Sequence, residues 1–151
     1  CAEMDDMTEA MLYAAARAQH VVQVIRPALL AGKIVICDRF VDSSIAYQGY
    51  GRGLGEAVSV INDYAVCGCL PDVTFLMKMD PRVGRRRINV QQQDRLEREK
   101  DDFHVRTYEG YLELEKKYPG RIVGIDAARS IEEIKIDIYK KLEEVLKGVT
   151  E

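Results

Sequence analysis

Residues 32–55 read GKIVICDRFVDSSIAYQGYGRGLG, and the first third of that stretch decides the fold class. Ile34-Val35-Ile36-Cys37 is a continuous, mostly β-branched apolar run. Such runs fit a strand buried on both faces, as in a parallel sheet. The run passes straight into Asp38-Arg39, then into a segment predicted to be a short helix over 42–48. Gly49 to Gly55 carries four glycines and is predicted to be loop. In open parallel sheets, ligands bind beyond the carboxyl ends of the strands. An arginine at that edge presents a planar fork to a phosphate, and Asp38 could orient it or hold a metal-bound water. A structural ion pair at a strand end fits the same two residues.

Upstream, Asp6-Met7-Thr8-Glu9 has the form of a capping box. Met11, Ala14, Ala18, Val22, Ile25 and Leu29 then recur at helical spacing, which predicts a helix over 7–31 that Pro27 bends near its end. Ala31-Gly32-Lys33 is its stop signal. Downstream, a helix is expected over Glu56–Val66 and a second buried strand over Val73–Met79. A helix near 82–90 is followed by a polar segment from Asn89 to Asp102, another helix over Phe103–Tyr118, and a third strand at Ile122–Ile125. Ser130-Ile131-Glu132-Glu133 opens a final amphipathic helix to about 147. Strands alternating with helices mean an α/β fold, a three-layer parallel sheet with helices on both faces. There is no repeat and no linker, so 1–151 is read as one domain. Three strands are fewer than such a sheet usually has.

Composition narrows the function classes. The chain has 151 residues, 47% of them apolar and 31% charged, with a net charge of −3. That balance does not describe a general nucleic-acid binder. No apolar run is long enough to span a bilayer, and CAEMDDMTEA at the start lacks the order of a signal peptide. Cys1, Cys37, Cys67 and Cys69 show no zinc or redox spacing, so the expectation is a reduced, cytoplasmic protein.

Several residue sets carry candidate chemistry. Ser44 and Gln48 are four apart on one predicted helix with Tyr47 beside them. An amide can pair with a base edge, and a tyrosine can pack under a sugar. Tyr13 and Arg17, also four apart, can stack on and hydrogen-bond to a planar base. Six arginines, at 82, 85, 86, 87, 95 and 98, suggest a lid closing over phosphates. Each set also has an ordinary reading: surface polar residues, an aromatic flank, a solvated charge run. Asp80, at the end of the second strand, is read as a cap.

Together these pieces resemble thymidylate kinase. The matching strings are EAMLYAAARAQH (9–20), the stretch 32–55, LPDVTFLMKMDPRVGRRRI (70–88), DRLEREKDDFHVRTYEGY (94–111) and GIDAARSIEEI (124–134). The resemblance implies the P-loop, nucleoside monophosphate kinase-like fold and the reaction ATP + dTMP → ADP + dTDP, with Mg2+, in a cytoplasmic homodimer. By position, Tyr13 matches the aromatic that stacks on thymine, and Arg17 the arginine at the base edge. Ser44 and Gln48 match thymine contacts, and Tyr47 the tyrosine under the deoxyribose. Arg39 matches the arginine between the two nucleotides' phosphates, and Asp38 its acidic neighbour. Residues 84–102, with Arg85, Arg86, Arg87 and Arg95, match the lid. Ala127 and Ala128 fall where the family's backbone borders adenine.

The departures are as informative. The family's strand, phosphate loop ending in Gly-Lys-Ser/Thr and second strand are not in this sequence; Gly32-Lys33 precedes a strand and is not followed by Ser or Thr. Gln91-Gln92-Gln93 stands where a further lid arginine is expected. The family's first strand lies between those ending in Asp38 and Asp80, so a gap is expected there. The chain is expected to be the C-terminal two-thirds of a thymidylate kinase, inactive alone. The alternatives are a truncated relative serving as a nucleotide-binding or dimerisation module, and a kinase for another nucleotide on the same fold.

Overall fold

The computed structural model describes residues 3–85, 96 and 99–147. The chain divides into two compact units, residues 1–70 with 94–111 and residues 71–93 with 112–151.

The first unit is helical. α1 (Asp6–His20) continues without a break into a π-helical turn, Val21–Ile25, and then α2 (Arg26–Leu30). Pro27 has no N–H to give to the turn before it, and there the ladder widens: Arg26 N–H reaches back to the Val21 carbonyl. The expected bend is thus a π turn. The α1 N-cap is Asp5, whose carboxylate accepts from the N–H groups of Met7 at 3.0 Å and Thr8 at 3.2 Å. The predicted box, Asp6 with Glu9, is therefore displaced by one residue, and Glu9 is buried instead.

α3 (Val41–Ser44) runs into a second π-helical segment, Ile45–Gly51, so Gly49 to Gly51 are helical and not loop as expected. Gly51 is needed there for close approach: a Cβ would lie 2.6 Å from Thr107 Oγ1 and 2.7 Å from the Phe103 ring. A turn through Gly53 and Gly55, both at positive φ, leads into α4 (Glu56–Val66), at the predicted bounds. Ala10 and Ala14 on α1, Val21, Ile25, Val41, Ala46, Val58, Ala65 and Phe103 form the core. Fully burying a valine such as Val58 contributes about 1.5–3 kcal/mol.

The run 34–37 is not a strand. It forms no ladder, and Ile34 and Ile36 are 75% and 92% exposed. A β-branched run becomes a strand only where a neighbour takes its backbone hydrogen bonds, and no described strand pairs with it. The expectation of a strand buried on both faces, with Cys37 inside it, is corrected accordingly.

The second unit holds the sheet. β1 (Thr74–Lys78) and β2 (Ile122–Asp126) pair in parallel, Thr74 opposite Ile122 and Lys78 opposite Asp126. α5 (Pro81–Arg85) and α6 (Asp101–Lys117) lie between them in sequence, and α7 (Ile131–Lys147) follows. Lys78 pairs with Glu115 at 2.9 Å. Gly124 leaves room for that pair, because a Cβ there would meet both side chains at 2.5 Å or less. The Ser130 box forms as expected: Ser130 N–H donates to Glu133 at 3.0 Å and Ser130 Oγ accepts from the Glu133 N–H at 3.4 Å.

Candidate functional site

The packing of α1 on α3, α4 and the second π segment sets Arg17 against Ser44 and Glu9 against Gln48. Arg17, in the last turn of α1, donates to Ser44 Oγ at 2.9 Å and to the Phe40 carbonyl at 3.1 Å. Its other terminal nitrogen donates to Asn62 Oδ1. The guanidinium also lies over the Phe40 ring, 5.4 Å from its centroid. Burial pushes the Arg17 pKa down from its ordinary value, opposed by the nearby Asp42 carboxylate. Asn62 is fully buried on α4 and donates to the Val58 carbonyl at 2.8 Å. With its NH2 spent on that carbonyl, the Asn62 oxygen can only face the guanidinium.

Gln48 is also buried, and its amide donates to Glu9 Oε1 at 2.9 Å. Glu9 accepts in turn from Arg52, at 3.4 Å from Nε and 3.3 Å from Nη2. Arg52 pairs further with Glu99 at 2.7 Å and Asp6 at 3.2 Å. Burial alone would lower the Arg52 pKa; the bonds from Glu9 and Glu99 carry it above its ordinary value. Ser44 and Gln48 therefore face the core and not solvent as a surface pair would.

Arg39 and Tyr47 also meet. The Arg39 guanidinium sits 5.3 Å above the Tyr47 ring. Tyr47 is held edge-on by Phe103 at 5.9 Å and Tyr111 at 6.3 Å, and Tyr111 donates to Ser43 Oγ at 2.8 Å. Arg39 has φ of 63°, a left-handed conformation that costs a non-glycine residue about 1–2 kcal/mol. Such strain persists where the surroundings impose it, and it clusters at ligand sites. Asp38 beside it is exposed. Tyr13, one turn before Arg17, is 46% exposed, with its ring open to solvent.

The remaining candidates are in the second unit. The Ala127 N–H donates to the Lys78 carbonyl at 2.9 Å, and the Ala128 N–H to Asp126 Oδ1 at 2.9 Å, so both alanines sit in the turn that closes β2. Asp80 caps α5 through the Arg82 N–H at 2.8 Å. Arg85 ends α5; Arg86, Arg87, Arg95 and Arg98 lie outside the described residues. Among the described residues no group of three or more His, Cys, Asp or Glu side chains is placed to hold a metal. No described helix is long and apolar enough to cross a membrane.

Sequence reasoning missed Glu9, Arg52 and Asn62. Glu9 has the spacing of a capping residue, and Arg52 sits among glycines that read as loop. Asn62 carried no signal beyond being a polar residue on the apolar side of α4.

The family model for thymidylate kinase matches residues 2–138. The thymidylate kinase of Halalkalibacterium halodurans is 48% identical over 95% of this chain and 70% of its own length. That of Lactobacillus helveticus is 51% identical over the same shares, 95% and 70%. Among solved structures, thymidylate kinase from Ehrlichia chaffeensis aligns with a TM-score of 0.72 and 31% identity. That alignment covers 93% of this chain and 66% of the Ehrlichia chain, so the residues described here span about two-thirds of it.

Proposed function

Because the chain belongs to the thymidylate kinase family, whose members are nucleoside monophosphate kinases using ATP, we propose that its protein phosphorylates dTMP to dTDP. The reading treats 1–151 as one kinase domain, in a cytoplasmic homodimer. The observation that carries it is that α1 holds Ser44 through Arg17, at 2.9 Å, and the buried Gln48 through Glu9, at 2.9 Å. Arg17, Ser44 and Gln48 are the polar residues that match the family's thymine contacts, and hydrogen bonds within the fold orient Arg17 and Gln48. Tyr13 is assigned to stacking on the base, and Tyr47, wedged by Phe103 and Tyr111, to packing under the deoxyribose. Arg39, with Asp38 beside it, is assigned to the phosphates, where a cation lying on an aromatic face keeps its planar fork oriented. Arg85, Arg86, Arg87 and Arg95 are assigned to the lid, and the backbone at Ala127 and Ala128 to the adenine border.

Phosphoryl transfer rests almost wholly on positioning and electrostatic stabilisation. These 151 residues hold no Gly-x-x-x-x-Gly-Lys-Ser/Thr, so the cradle for the ATP phosphates is assigned to residues other than these. Magnesium is assigned to arrive with ATP, and it would supply charge neutralisation at the phosphates when bound. Support for a partner copy comes from Met11, Leu12, Val22 and Tyr64, which are 54%, 54%, 58% and 82% exposed; light scattering on the chain tests it.

The experiment has two arms. Calorimetry with dTMP, dUMP, dCMP and thymidine is expected to rank dTMP first; a preference for dCMP overturns the assignment of the base site. ADP release from the chain with ATP, magnesium and dTMP is expected to be negligible. Turnover at ordinary kinase rates overturns the assignment of the phosphate cradle to other residues.

A further inference from the structure

We propose that Glu9 is a positioning residue that sets base selectivity by fixing which way the Gln48 amide points. The inference rests on the thymine assignment of Gln48 above and adds the residue that makes Gln48 selective.

An amide side chain has two faces of opposite character, an NH2 that donates and a carbonyl that accepts. Unrestrained, it can flip and pair with either kind of base edge. Gln48 is not unrestrained. It is 2% exposed, and its nitrogen lies 2.9 Å from Glu9 Oε1. Glu9 is itself 3% exposed and takes hydrogen bonds from two nitrogens of Arg52. A carboxylate paired with a guanidinium only accepts. The NH2 of Gln48 must therefore face Glu9, and the flipped amide would set oxygen against oxygen in a buried site, which is strongly unfavourable. The carbonyl is left as the group Gln48 offers on its other side.

Thymine and uracil carry an N3–H that donates; cytosine carries a bare N3 that accepts. A carbonyl fixed on the side away from Glu9 pairs with the first and opposes the second. Arg52, anchored by Glu99 at 2.7 Å and Asp6 at 3.2 Å, keeps Glu9 in place. The chain of orientation runs from Arg52 through Glu9 to Gln48, while Glu9 itself has no role at the base.

The test is Glu9→Gln, measured by calorimetry with dTMP, dCMP and dTMP methylated at N3. An amide at position 9 accepts or donates, so Gln48 becomes free to flip. The dTMP-over-dCMP affinity ratio is expected to fall about tenfold or more, and the penalty for N3-methylation to shrink with it. The swapped double variant Glu9→Gln with Gln48→Glu restores an acceptor-only group at 48 and is expected to recover the preference for dTMP. A Glu9→Gln protein that keeps the parental dTMP-over-dCMP ratio overturns the proposal. If Glu9→Gln does not fold, the double variant decides alone: a folded double variant that prefers dCMP overturns the proposal. A merely structural role for Glu9 would lower both affinities together and leave the ratio unmoved, which also overturns it. If the parental chain itself shows no preference for dTMP, the thymine assignment fails instead, and the two failures are thereby told apart.

Discussion

Gly51 and Gly49 sit in the same π-helical segment, yet alanine should act oppositely at the two. At Gly51 the new Cβ would lie 2.6 Å from Thr107 Oγ1 and 2.7 and 3.2 Å from two Phe103 ring carbons. Neither neighbour is free to give way. Thr107 Oγ1 is bonded to the Phe103 carbonyl at 2.8 Å, and Phe103 is 3% exposed beneath the Arg52 guanidinium. Relieving the clash must move α6 away, which also strains the two bonds from Arg106 to the Gly51 carbonyl, at 3.1 and 2.9 Å. Overpacking of this kind costs about 1–3 kcal/mol, and a lost hydrogen bond adds about 1 kcal/mol. Helix propensity returns up to about 1 kcal/mol for Gly→Ala. The net expectation for Gly51→Ala is a loss of about 1–3 kcal/mol, or several degrees in Tm. At Gly49 the nearest atom is the Gly55 carbonyl oxygen at 3.5 Å, ordinary contact, so Gly49→Ala should be neutral or stabilising by up to about 1 kcal/mol. Urea unfolding followed by circular dichroism reads both. A Gly51→Ala chain as stable as Gly49→Ala would refute the claim that close approach, and not flexibility, places glycine at 51.

Arg39→Gly should raise stability by about 1 kcal/mol by releasing the left-handed strain, while Arg39→Ala should not. Both should weaken dTMP binding more than thymidine binding, and an equal loss for the two ligands in calorimetry would contradict the phosphate role. Tyr111 is pushed up to about 12, chiefly by burial. The folded state then holds its proton where the unfolded state has lost it, so stability is complete below the unfolded value near 10 and drains away as pH rises to about 12. Tyr111→Phe should flatten that slope in alkaline melts, at the cost of about 1 kcal/mol from the lost Ser43 bond; an unchanged slope would count against it. Asn62→Ala should destabilise by about 1–3 kcal/mol, because it strips a buried acceptor from Arg17; a neutral result in the same urea assay would argue against it.

Most helices were legible because their signals are local. Glu56–Val66 and the Ser130 box depend on spacing and capping that lie within a few residues of each other. What failed was whatever depended on a distant partner. Ile34-Val35-Ile36-Cys37 has the composition of a strand, but composition cannot supply the neighbour that a ladder needs. Glu9 has the spacing of a capping residue, and only the tertiary fold shows it facing Gln48. Gly51 looks like a loop glycine until α6 is seen to lie against it. Spacing alone leaves Arg17, Ser44 and Gln48 as ordinary surface residues, and their assignment to the base comes from the family resemblance; the residues that orient them carry neither signal.

The π winding of Ile45–Gly51 has a consequence for how the segment tolerates editing. A π turn holds a residue more than the α turn it replaces. Deleting one residue there would let the backbone relax into ordinary α winding, which keeps the flanking turns nearly in phase but shifts the residues inside the segment by one position, about 100° around the axis. Gln48 or Tyr47 would then swing off the face it now occupies, although no side chain in the segment had been chemically altered. Within these seven residues, length is a stricter requirement than identity. A library that varies their side chains should keep more folded members than one that varies their number.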